Sequence, residues 1–243
     1  MSTNATGTPS ATAKVQAQAN AQGGASPPFE SYLIKNTKIN EAAGVSLSSQ
    51  QKLLVGSVLD LFEGHPSLKH LSLWSRSATF TDPLTIASGF DKFAAQWYGL
   101  PTVFCPIQIQ SHSVTSGGNP IELHLTNKYG LKGIKKEQTI DSVVRIHVGQ
   151  DGQIDKVEDR WNDKLPEGAV SEVSFPVSVI PLLALRRLAS ASAEWGWWAF
   201  AHASWWRPFW AFRKLNAVTV PKLVTVPKSE EEDMKMRSER ERS

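Results

Sequence analysis

Two acidic residues stand where a carboxyl could exchange a proton inside an apolar pocket. Asp82 closes the segment Ala78-Thr79-Phe80-Thr81-Asp82-Pro83, and Asp159 lies in Val157-Glu158-Asp159-Arg160-Trp161. A carboxylate at the end of an apolar strand is desolvated, which raises its pKa toward neutrality and suits it to general acid or base work. Asp82 has a second reading, as a turn residue whose carboxylate satisfies nearby backbone N–H groups, and both readings stand at this point. Asp159 shares a strand face with Val157 and Trp161, so it is a second acid for the same cavity or a partner for a lysine at the rim. Tyr98, at a helix end, is a candidate for the pocket mouth or for amphipathic packing.

The elements that must position these groups follow from periodicity. Around Asp82 the chain reads as a strand ending at Asp82-Pro83, an extended return through Leu84 to Ala87, and a helix from about Gly89 to Gly99. In that helix Phe90, Phe93, Ala94 and Trp97 form one apolar face. Upstream, a serine among Ser46, Ser48 and Ser49 caps a helix carrying Leu53, Leu54, Val58, Leu61 and Phe62 as far as Gly64. His65-Pro66 breaks it, and a short helix follows with Leu68, Leu71 and Trp74 on one face. Downstream the period changes to two. Val103, Cys105, Ile107 and Ile109 alternate in one strand, Ile121, Leu123, Leu125 and Asn127 face inward in the next, and Ser142, Val144, Ile146 and Val148 in a third. Asp151-Gly152 makes a hairpin turn into the last strand, Ile154 to Asn162. The fold class is α+β: a bent antiparallel sheet packed against N-terminal helices, followed by a C-terminal Trp-rich helix, with disordered termini.

The order of these elements, the Ala78 to Pro83 motif, Gly89 opening the next helix, and Asp151-Gly152-Gln153-Ile154 running to Arg160-Trp161 resemble the nuclear transport factor 2-like superfamily, with its SnoaL-like and ketosteroid-isomerase-like members. The resemblance spans Ser46 to Asn162 and implies a cone whose sheet and helices enclose a pocket. It sets Asp82 where the isomerases keep a general base. It puts Val58 and Val144 where they keep the two oxyanion donors, so their chemistry does not carry over unchanged. The implied pocket is lined by Val58, Trp97, Tyr98, Leu123, Val144, Val157, Asp159 and Trp161. Superfamily members include isomerases, dehydratases, cyclases and non-catalytic binding modules, so fold alone leaves function open.

Composition bounds the rest. A net charge of +3 over 243 residues, with no basic stripe carrying interleaved aromatics in the core, disfavours nucleic acid. The single Cys105 excludes an internal disulfide framework, no His or acidic spacing suits a metal, and no cofactor motif occurs. A reducing, cytoplasmic location is expected. The first 28 residues hold almost no bulky apolar side chains and are expected to be disordered; with one Lys and no Arg they make a poor mitochondrial presequence. The pocket domain is expected over residues 41–166, a Trp-rich helical segment over 175–215, and an extended strap and charged tail over 216–243.

Six of the nine tryptophans fall in the Trp-rich segment. Trp195, Trp198, His202, Trp205, Phe209 and Phe212 recur at helical spacing, between Arg186-Arg187 and Arg213-Lys214. Packing on the cone or in a homodimer interface competes with attachment to a membrane surface, where Trp and flanking cations are favoured. Spanning is disfavoured, because Glu194 mid-span costs roughly 2 to 3 kcal/mol. The sequence thus points to a protein that binds a hydrophobic small molecule or lipid, or acts as an interaction module. An isomerase, cyclase or dehydratase using Asp82 is the alternative.

Overall fold

The computed structural model describes residues 28–133, 137–162 and 218–242. The N-terminal 27 residues and the Trp-rich stretch, including Trp195, Trp198, Trp205, Phe209 and Phe212, lie outside the described residues. The helical layer comprises α1 (Ser49–Phe62), the single turn α2 (Leu68–Leu71), α3 (Phe90–Val103) and α4 (Glu230–Arg242). The strands are β1 (Trp74–Thr81), β2 (Ile86–Ser88), β3 (Phe104–Ser116), β4 (Ile121–Leu131), β5 (Glu137–Val148) and β6 (Ile154–Trp161). They form one six-stranded sheet in the order β2-β1-β6-β5-β4-β3. The sheet is bent and open.

Hairpins make β3 to β6 antiparallel, whereas β1 lies parallel to β6. No hairpin links β1 to β6; β1 enters from the helical layer, and its direction is free of the turn constraint. Ser48 caps α1 with a full capping box: its side chain accepts the Gln51 N–H while the Gln51 side chain accepts the Ser48 N–H. Ten consecutive residues of α1, Leu53 to Phe62, are buried, so this helix is covered on all sides. One apolar cluster joins Leu54, Val58 and Leu61 of α1 with Phe93 and Trp97 of α3 and the inward residues of β1, β4, β5 and β6.

Several local expectations differ from the structure. The helix after Gly89 runs past Gly99 to Val103 with Pro101 inside it, because a proline in the last turn forfeits one N–H bond and Thr102 Oγ1 donates to the Gly99 carbonyl there. Trp74 opens β1 instead of completing α2, and remains buried. Cys105 is exposed; a register shift between Phe104 and Ile107 resets the alternation of β3. Of the two Val-Thr-Val-Pro-Lys copies, residues 218–222 are helical and only residues 224–228 form a strap, with Val224 and Val226 packed on the core.

The charged run after the strap forms α4, and one of its acids is buried. The Asp233 carboxylate accepts the Tyr98 hydroxyl at 2.6 Å and the Leu68 N–H at 2.9 Å. Arg240 lies over the Tyr98 ring, 5.6 Å from its centre, and donates to the Pro66 carbonyl. A 13-residue helix with so little apolar surface is marginal alone, so docking sustains it.

Segment 29–40 folds back on α1 as a clamp fixed by Asp60. Its Oδ2 accepts the Lys35 N–H at 2.7 Å, and its Oδ1 accepts the Asn36 N–H and the Asn36 side-chain amide at 2.9 and 2.7 Å. His70 Nε2 stands 3.3 Å from Oδ2. The clamp approaches so closely that a Cβ at Gly56 would fall 2.7 Å from the Asn36 carbonyl oxygen, which makes glycine the residue that fits.

Candidate functional site

The cone's inward face can be read along the sheet register. In one row Leu123 pairs with Val144 and Val144 with Asp159; in the next, Leu125 pairs with Ser142 and Ser142 with Trp161. Toward β3 and further along β4 the same face carries Asn127 and Tyr129. Phe80 of β1 pairs with Val157, two residues before Asp159, and Asp82 stands one residue beyond the Thr81↔Glu158 pair, abreast of Asp159.

Val58, Leu123, Val144 and Val157 are wholly buried and make an apolar floor. Trp97 is buried against Phe80, ring centres 4.6 Å apart, and against Phe62 at 5.2 Å. Asp159 retains 5% of its surface, and its Oδ2 accepts the Trp161 indole N–H at 2.8 Å. Its Oδ1 is buried without a hydrogen-bond partner, as are Asn127 Oδ1 and Trp97 Nε1. Burial is the largest influence on Asp159 and pushes its pKa up to about 6; the Trp161 indole and nearby Ser142 offset part of the rise. Tyr129 is raised well above the usual phenol value, first by burial, then by the charges of Asp159 and Asp82. The charges of both acids thus act on Tyr129.

Asp82 is half-buried, and its Oδ1 accepts the Leu84 N–H at 2.7 Å. Backbone bonds in both directions between Asp82 and Thr85 complete the turn. This is Asx-turn chemistry, the structural alternative raised by the sequence. Tyr98 sits one residue, about 100° of helix, from Trp97 and is spent on Asp233, away from this group. Sequence reasoning did not select Tyr129, although it continues the parity of Leu125 and Asn127. Asp60 lies inside the helix expected to run to Gly64, and no sequence pattern singles it out.

Among the described residues no cluster of His, Cys, Asp and Glu could hold a metal, and no helix is long and apolar enough to cross a membrane. A separate open depression of about 280 Å³, lined by Arg76, Ser88, Gly89, Phe90, Asp91 and Lys92, lies at the start of α3.

The described residues form an α+β fold in which a bent, open, mixed six-stranded sheet packs against helices. No protein-family model matches the chain, and no curated protein matches it. Among solved structures, the chain is similar to an NTF2-like protein of unknown function from Exiguobacterium sp. 255-15, at 18% identity over 46% of this chain and 99% of that one, with a TM-score of 0.38. A protein from Shewanella putrefaciens, assigned as a SnoaL-like polyketide cyclase, is 12% identical over 60% of this chain and 86% of its own, with a TM-score of 0.41. A third, from Catenulispora acidiphila, has a ketosteroid isomerase-like fold and is in complex with trimethylamine; it is 11% identical over 44% and 82% of the two chains, with a TM-score of 0.37.

Proposed function

We propose that the cone binds a small, largely apolar molecule or lipid whose polar group reaches Asp159, and that the Trp-rich stretch over 175–215 attaches the protein to a membrane surface or a partner. The protein is then a cytoplasmic pocket protein with peripheral attachment. The observation that carries the pocket reading is Asp159 itself. A buried carboxyl with one oxygen unpartnered costs stability, and an apolar residue there would be cheaper. Such a cost is expected where a ligand supplies the missing hydrogen bond. Attachment rests on the tryptophan density between flanking cations.

Native mass spectrometry of protein purified from its own source tests the first part: a retained small molecule, lost in Asp159→Asn, is expected, and an empty chain speaks against it. Co-sedimentation with anionic vesicles tests the second; binding weakened by salt is expected, while a shift to dimer without vesicle binding replaces the membrane by a second copy.

A catalytic reading has one observation in its favour. With a pKa of about 6, Asp159 can exchange a proton near neutrality, and Tyr129, whose phenol is raised by burial and by the charges of Asp159 and Asp82, keeps its hydroxyl proton. In that reading Asp159 joins Asp82 as the acid–base group of an isomerase, cyclase or dehydratase. Turnover that survives Asp159→Asn excludes Asp159 from that role, and absence of turnover in the parent excludes the catalytic reading.

A further inference from the structure

We propose that the strap and the short helix before it, residues 218–228, form a contact surface for an anionic lipid bilayer, so that the end of the cone carrying Tyr98 and Gly99 faces the membrane. The inference rests on the attachment reading above; it adds where on the folded body the contact lies and which lipid charge it requires. Its first support is where apolar surface is left open. Among the described residues the large hydrophobic side chains left exposed are Val218, Leu223 and Met234, at 47, 41 and 59%, all in the tail. One such side chain is ordinary, but a group of them in one short stretch marks a contact surface. Val224 and Val226 pack on the core and Pro227 is buried, which leaves Leu223, Thr225 and Lys228 on the outer side with the exposed Lys222.

The second support is that this outer side is fixed in place. A Cβ at Gly99 would fall 3.1 Å from Val224 Cγ2 and 3.6 Å from Val220 Cγ1, so the segment lies directly on α3. Beyond it, Asp233 holds α4 through the Tyr98 hydroxyl and the Leu68 N–H. A preorganised surface binds without first being ordered. The third support is charge. No Asp or Glu falls between Glu194 and Glu230, whereas Arg207, Arg213, Lys214, Lys222 and Lys228 do, so the chain's net +3 is concentrated there and the remainder is slightly acidic. Neither Lys222 nor Lys228 enters an ion pair among the described residues. Glu230, Glu231 and Glu232 open α4 and bound the patch on that side. Unspent lysines beside aliphatic side chains match a layer that is anionic outside and apolar just beneath it. A nucleic acid offers the charge without the apolar layer.

The test uses the full chain with vesicles of phosphatidylcholine containing about 30% phosphatidylglycerol, and with phosphatidylcholine alone; co-sedimentation is expected with the first and not with the second. In Lys222→Gln/Lys228→Gln, checked by circular dichroism to be folded, affinity for the anionic vesicles is expected to fall at least about tenfold. A second readout is an environment-sensitive dye on Leu223→Cys in a Cys105→Ser background. Its emission should shift to the blue on anionic vesicles, while the same dye on Gln50→Cys, in the first turn of α1, should not shift. Binding that is unchanged in the lysine variant, with no shift from the dye at position 223, overturns the strap surface and leaves attachment through 175–215 standing. Equal binding to neutral vesicles overturns the anionic requirement, and competition by millimolar glycerophosphate overturns the bilayer in favour of a small-anion site. A parent chain that binds neither vesicle overturns this inference together with membrane attachment, and a dimer formed instead assigns the exposed side chains to a second copy.

Discussion

Asp60 and Asp159 are the same residue type, both almost wholly buried, and the protein treats them in opposite ways. Burial alone pushes the Asp60 carboxyl up, but the His70 ring, the Lys35 N–H and the Asn36 side chain together outweigh it and hold the group below the ordinary carboxylate value. Asp159 has one clear donor, and there burial prevails. A buried charge is thus a fastener where donors surround it and an unmet demand where they do not. The two also respond to pH with opposite signs. Asp60 contributes stability above its unfolded pKa, 3.8, and loses it as pH falls through its lower folded value. Asp159 contributes fully below 3.8 and loses its contribution as pH rises through about 6.

The largest effect is expected from Asp60→Ala. Removing the acceptor leaves the Lys35 and Asn36 N–H groups and His70 buried without their partner, so the loss should be about 3 to 5 kcal/mol in denaturant unfolding. A loss under about 1 kcal/mol would mean that the clamp contributes little and would erase the contrast. Asp159→Asn comes next, with the opposite sign. Above pH 6 the variant should be more stable than the parent by up to roughly 3 kcal/mol, because the shift of about two pKa units no longer costs anything. A pH series of melting temperatures should also flatten between about 4 and 6; an unchanged slope would show that Asp159 has charged partners.

Tyr98→Phe sharpens the contrast from outside the cone. Asp233 then keeps only the Leu68 N–H, and a loss on the order of 1.5 kcal/mol is expected, with faster proteolysis or hydrogen exchange confined to α4. Exchange rising equally across the sheet would show instead that α4 and the cone unfold as one unit. The smallest effect belongs to Asp82→Asn. The asparagine carbonyl can accept the Leu84 N–H in the same Asx turn, so stability should stay within about 0.5 kcal/mol. Loss of ligand binding or turnover at unchanged melting temperature would restore Asp82 to the functional group that the sequence suggested.

Much of this was legible in the chain because local rules govern it. Period-two alternation put Leu123, Val144, Asp159 and Trp161 on one face, since side chains in a strand cannot choose otherwise, and the serines Ser46, Ser48 and Ser49 marked the start of α1 by capping chemistry, of which the structure uses Ser48. Apolar spacing likewise put Trp97 toward the core. What periodicity cannot carry is the partner of a polar atom. Tyr98 binds an acid 135 residues away, and Asp60 fastens a segment that precedes it by about 24 residues; both pairings exist only once helices and strap have docked. The parallel pairing of β1 with β6 is of the same kind, because no turn encodes it. The sequence by itself determined which faces are apolar and which acids lie among them. Tertiary structure alone decided how many donors each acid meets, and a buried carboxylate is a fastener or a reactive group according to that number.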